Sequence, residues 1–176
     1  MIQTYHNGRF EFFVVVIVIA IIALAALGRY SLMAKDARIL RLEIISHHFM
    51  TGAVNARVQY LLENVVNKKS KAEPLKLAGT LVYFSSQGWP VSLVGPVVAD
   101  YQPTDEDCFQ LWQLLLQNPA PITKGADSES RNEYRVFAQA NNCRYGFTDG
   151  TAYFDYYMLD GKLLFIPVNN EKIIIN

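Results

Sequence analysis

No proline occurs before Pro74, and no polar side chain interrupts Phe12 to Leu27 (FFVVVIVIAIIALAAL). The first absence leaves nothing that must break a helix in the N-terminal part of the chain. The second leaves sixteen unbroken apolar residues, at the short end of the ~17–25 that span a bilayer as a helix. An excess of one charge sign is also missing. Sixteen Lys+Arg balance 16 Asp+Glu, so the electrostatic footprint of a nucleic-acid binder is absent and that partner class drops out. Histidine is scarce, and His47 and His48 are adjacent, so on a helix they diverge by ~100° and do not share a metal easily. The chain has no HExxH, P-loop or GxSxG motif and no cysteine beside a histidine. Its two cysteines, Cys108 and Cys143, form no C-x-x-C, which argues against zinc and thioredoxin-type sites. The expectation is a non-enzymatic protein with no cofactor and no metal.

What is present divides into one apolar anchor and one head. Three readings fit the block. It is a secretory signal, with Arg9 before it and Ala23-Leu24-Ala25 as an A-x-A site; a permanent anchor; or a buried core helix. The last is disfavoured because the remaining chain is too small to enclose a helix that is apolar all round. The residues after the block favour an anchor. Ile39, Leu42, Ile45, Phe49, Ala53, Ala56 and Tyr60 recur at helical spacing, with Arg38, Arg41, Glu43, Arg57 and Glu63 on other faces. The pattern predicts one helix from near Phe12 to near Asn64, with Gly28 and Gly52 as weak points of ~1 kcal/mol each relative to alanine. The corresponding regions are a leader-like 1–9, an anchor helix 10–28, an amphipathic helix 29–66 and a globular head 67–176.

In the head, residues 67–79 read as a basic linker, either a solvated loop or a lipid-headgroup contact. Thr80–Phe84 reads as a strand, residues 85–88 as a turn, and Trp89–Leu93 as an edge return carrying Pro90. Thr104 with Asp107 resembles a capping box opening a helix in 100–117. Its acids Asp105, Glu106 and Asp107 suit the positive helix end better than a cation site. Phe109, Leu111, Trp112, Leu115 and Leu116 supply its buried face. Residues 118–133 read as a long polar loop. Strands are expected at Arg144–Thr148, Ala152–Leu159 and Lys162–Val168, with Tyr134–Gln139 as a further candidate. Asp149-Gly150 and Asp160-Gly161 would join them in type I′ turns. Tyr145, Phe147, Tyr153, Tyr156 and Phe165 are read as cross-strand packing, with a carbohydrate-stacking surface as the alternative.

Cys108 and Cys143 are either two buried thiols or a bridge from the short helix to the sheet. A bridge would be useful only outside the cytosol. Topology signals conflict, because Arg29, Lys35, Arg38 and Arg41 after the block mildly favour a cytoplasmic head. Charge is also uneven: residues 29–76 carry net +5 and residues 100–160 net −6. This asymmetry fits head-to-tail stacking or contact with anionic lipid, or simply solvated faces.

Gly8, then Phe10 and Glu11, then the apolar helix and its amphipathic half, resemble the N-terminus of type IV pilins and pseudopilins. The segments Lys35–Arg38, Phe49–Val54 and Val58–Leu61 are most similar to pilins of the mannose-sensitive haemagglutinin (MSHA) class. The resemblance implies an α+β, pilin-like fold, with the long helix packed on a small antiparallel sheet. It implies a processing site at Gly8 and Arg9, and an inter-subunit charge on Glu11. It also implies a C-terminal disulfide, here Cys108 with Cys143. The implied partners are other pilin subunits through the N-terminal helix, inner-membrane lipid, the prepilin peptidase and the assembly platform. The implied location is the bacterial inner membrane, with a periplasmic head and entry into a pilus. One departure is clear: cutting after Gly8 makes Glu11 the third residue and Phe13 the fifth, where the family carries its glutamate. That suits a minor or initiating subunit. It also leaves a single-pass periplasmic receptor or scaffold, or a type II secretion pseudopilin, as alternatives.

Overall fold

The computed structural model describes residues 8–67, 73–97, 101–125 and 131–168. The elements run α1 (Gly8–Asn67), β1 (Leu75–Leu77), β2 (Thr80–Phe84), β3 (Pro90–Ser92), α2 (Asp105–Leu115), β4 (Ile122–Lys124), β5 (Tyr134–Gln139), β6 (Asn142–Phe147), β7 (Ala152–Tyr157) and β8 (Lys162–Pro167). The fold is α+β, with a long N-terminal helix and two small sheets, ordered β1-β2-β3 and β4-β5-β6-β7-β8. The chain divides into two compact units, Met1–Leu40 and Arg41–Asn176. The boundary falls inside α1, just before Leu42, the first fully buried side chain of the helix. Over its described residues the first unit is helix only.

In the second unit the helical spacing becomes packing. Leu42, Phe49, Ala53, Ala56 and Tyr60 are buried, while Ile39, in the first unit, and Ile45 are only partly covered. Phe49 lies 5.0 Å from the Tyr145 ring, 5.6 Å from Phe154 and 5.2 Å from Tyr156. Three turns on, Tyr60 stacks on Phe84 at 4.2 Å, joining the same helix to the smaller sheet. Ser46 is tolerated in this stripe because its hydroxyl donates to the Glu43 carbonyl.

The four antiparallel strands β5 to β8 form the expected meander. The β3 edge position of Pro90 also agrees with the missing N–H of proline. Three local expectations are corrected. Residues 118–133 are not all loop, since β4 pairs parallel with β5, Ile122 opposite Tyr134. Residues 67–79 contain β1, which pairs with β2; residues 68–72 lie outside the described residues. Third, Asp149 and Asp160 do not take positive φ, so their turns are not type I′; only Gly150 (φ 75°) and Gly161 (φ 71°) do. Longer hairpin loops place a single glycine in that region. Positive φ at both central residues occurs instead at Ala78 (47°) and Gly79 (91°), between β1 and β2.

Gly52 acquires a meaning that helix propensity hides. A Cβ there would lie 2.2 Å from the Leu115 carbonyl oxygen, so α1 meets the end of α2 backbone to side. Propensity alone predicts that Gly52→Ala stabilises by ~1 kcal/mol. The overlap reverses the sign, and a net loss of about 1–3 kcal/mol is expected. Denaturant unfolding of the full chain in detergent, followed through tryptophan fluorescence, measures it.

Candidate functional site

Every residue from Phe10 to Tyr30 is exposed, including Phe10 (68%), Ile22 (64%) and Leu24 (69%). A helix satisfies its own backbone hydrogen bonds, so this segment has no polar group that requires water along its middle. Its side chains, by contrast, gain ~25 cal/mol for each Å² of apolar area removed from water. Among the described residues it is the one helix long and apolar enough to cross a membrane.

The residues singled out at its start, Gly8, Arg9 and Glu11, all fall in the first turn of α1. Gly8 opens α1, and Glu11 stands exposed in the first turn, where a carboxylate favours the positive helix end. The backbone of Arg9 is helical, and leader residues 1–7 lie outside the described residues.

In the head the structure brings Cys108 and Cys143 together as a disulfide with Cα atoms 5.4 Å apart. The bond ties α2 to β6, and the Tyr145 hydroxyl reinforces it by donating to the Cys108 carbonyl at 2.9 Å. Burial raises the Tyr145 and Tyr156 phenols, so both remain protonated donors; Tyr156 donates to the Pro90 carbonyl of the other sheet.

The three acids opening α2 each have a structural partner. Asp105 accepts from the Ala138 N–H at 2.7 Å, and Glu106 pairs with Lys124 at 2.7 Å. Asp107 closes the capping box with Thr104 and accepts from the buried Ser92 hydroxyl. Burial pushes the Asp107 carboxyl up, but the hydrogen bonds from Ser92 and Thr104 outweigh it and hold it below the usual carboxylate range. These contacts account for the acidic cluster through capping and tethering. Among the described residues, no group of three or more His, Cys, Asp or Glu is disposed to hold a metal.

The aromatics divide by face. Tyr145, Phe147 and Tyr156 are buried, whereas Tyr153 is half-buried beneath Arg144, which also makes a bidentate pair with Asp155 at 2.7 Å. A cleft of about 350 Å³ between α1 and the end of α2 is lined by Ile45, His48, Thr51, Gly52 and Leu116 among others. Sequence reading missed the role of Arg57, whose guanidinium lies 4.4 Å from the Trp89 ring and donates to the Gln87 carbonyl. It also missed Gly161, where a Cβ would enter that indole at 2.0 Å. Neither contact has a signal in local spacing. No family model, curated protein or solved structure matches the chain.

Two predictions follow from the bridge and its neighbour. The 35-residue separation gives about 4 kcal/mol by chain-entropy reasoning. Cys108→Ser with Cys143→Ser is therefore expected to lower the denaturant midpoint and to remove the effect of added reductant. For Asp107 the folded value is depressed, so its contribution is present above ~3.9, the unfolded value. It is lost as pH falls through the lower folded value. Urea midpoints for wild type and Asp107→Asn are expected to differ at neutral pH and to converge in acid.

Proposed function

We propose that the protein is a non-catalytic subunit of a type IV, MSHA-like pilus or of its assembly machinery, acting as a minor or initiating pilin. The observation that carries this reading is one helix that is fully exposed and apolar at its start and packed on a disulfide-linked α+β head further on. The similarity of residues 8–63 to pilin N-termini supports it. Phe12–Leu27 holds the subunit in the inner membrane and later packs among the helices of other subunits. The disulfide supports a head outside the cytosol, in the periplasm and then in the filament.

A second reading rests on Arg9 after the candidate cut and on Glu11 at the third rather than the fifth position. A carboxylate buried among apolar helices needs a charge partner, and this register alters the geometry of the pair. A single-pass periplasmic receptor or scaffold that never leaves the membrane has no such requirement. A type II secretion pseudopilin shares the anchor and differs only in the filament it joins.

The N-terminus and intact mass of the protein from its native membrane test both. Entry into a filament predicts a chain starting at Arg9, with a methylated amino terminus. A chain retaining Met1 favours the scaffold, and one starting near Arg29 overturns both by identifying a cleaved secretory signal.

A further inference from the structure

The far face of the large sheet carries a small polar notch. Tyr145 and Phe154 turn toward Phe49, so strand alternation sends Arg144, Gly146, Tyr153 and Asp155 to the opposite face. The register sets them in two neighbouring cross-strand rows, Arg135–Gly146–Tyr153 and Phe137–Arg144–Asp155. The centre of the first row has no side chain. A concavity of about 130 Å³ lies there, walled by Arg135, Phe137, Arg144 and Tyr153 around Gly146.

Two guanidiniums border the notch and are held differently. Arg144 lies 3.9 Å from the Tyr153 ring centroid and donates from Nε and Nη2 to the buried Asp155 carboxylate, at 2.7 Å each. That pair fixes its position, and Nη1 stays outside it. Arg135 rests 5.6 Å from the Phe137 ring and, among the described residues, belongs to no ion pair. A ring contact occupies the flat side of a guanidinium and leaves the N–H donors at its edges.

Charge and size decide what such a notch accepts. Strands β5, β6 and β7 contain three charged residues, Arg135, Arg144 and Asp155, for a net +1, whereas residues 100–160 as a whole carry net −6. Asp149, next to the lining Gly150, is engaged with the Thr151 N–H and hydroxyl. A site of net +1 is matched by one negative charge, and a phosphate monoester brings about −1.5 to −2. The volume equals about four waters at ~30 Å³ each, the size of a carboxylate with its attached carbon. A planar carboxylate also suits the fork of N–H donors on a guanidinium. We propose that this notch is a binding site for a single carboxylate group, with Arg135 as its main donor and Arg144, positioned by Asp155, as the second. The site rests on the sheet alone and is independent of the filament reading.

The full chain in detergent, with isotopically labelled arginine, tests it through the Nε–H signals of Arg135 and Arg144. Sodium acetate and a capped tripeptide with a central glutamate are titrated at neutral pH, with sodium chloride keeping the ionic strength constant. Both signals are expected to shift saturably. Arg135→Gln is expected to keep the denaturant midpoint and to weaken binding about tenfold or more, the loss of one charge-assisted contact. Arg135→Lys, which keeps the charge without the fork, is expected to fall between. Equal affinity for the two probes identifies a free small acid as sufficient, and tighter binding of the tripeptide identifies an acidic side chain of another chain as the source. No saturable shift with either probe, undiminished affinity in Arg135→Gln, or tighter binding of inorganic phosphate than of acetate overturns the proposal.

Discussion

The insertion of Phe49 into the aromatic face of the large sheet organises the head. One helical side chain reaches Tyr145, Phe154 and Tyr156, which come from two neighbouring strands. Trp112 of α2 stacks on Tyr145 at 5.5 Å and on Phe154 from the same cluster, so helix, sheet and short helix share one set of rings. Tilted and stacked pairs of this kind contribute roughly 0.5–1.5 kcal/mol beyond area burial. They also define a rotation for α1: with Phe49 inward, Leu42, Ala53, Ala56 and Tyr60 must follow.

That rotation has a consequence for the opposite side of the helix. Turning the Phe49 stripe inward turns Ile44, Val58 and Leu61 outward, where water covers them. A helix with a polar outer face would end its contacts at the head. This helix instead presents apolar surface in both units, as a stripe beyond Arg41 and all round from Phe12 to Leu27. The acidic cluster at the start of α2 is occupied by capping, by Lys124 and by the Ala138 N–H.

The head is held at its edges by contacts that differ in sequence range. The Thr104–Asp107 box is local, and a three-residue spacing suffices to find it. The Cys108–Cys143 bond, the Tyr156 hydroxyl on the Pro90 carbonyl and the Arg57–Trp89 stack join residues far apart. Such pairs form only after the meander and α2 have brought distant segments together. The two classes meet at Asp107 and Cys108, adjacent residues of which one caps the helix and the other ties it to β6.

The chain's local order was legible wherever short-range physics decides. Absence of proline and a three-to-four spacing predicted the long helix, unbroken apolar residues predicted its exposed segment, and alternation bounded by Asp-Gly predicted the meander. The buried face of that helix was legible in the same string, since Leu42, Phe49, Ala53, Ala56 and Tyr60 follow from the spacing and are the residues that pack; the rings that Phe49 meets were not. Tertiary structure alone decided that β4 pairs in parallel, that Ala78 rather than Asp149 takes positive φ, and that Gly52 admits the Leu115 carbonyl. These depend on where a second segment lies in space. Periodicity encodes the face a segment offers, whereas the partner that meets it is set by the rest of the fold.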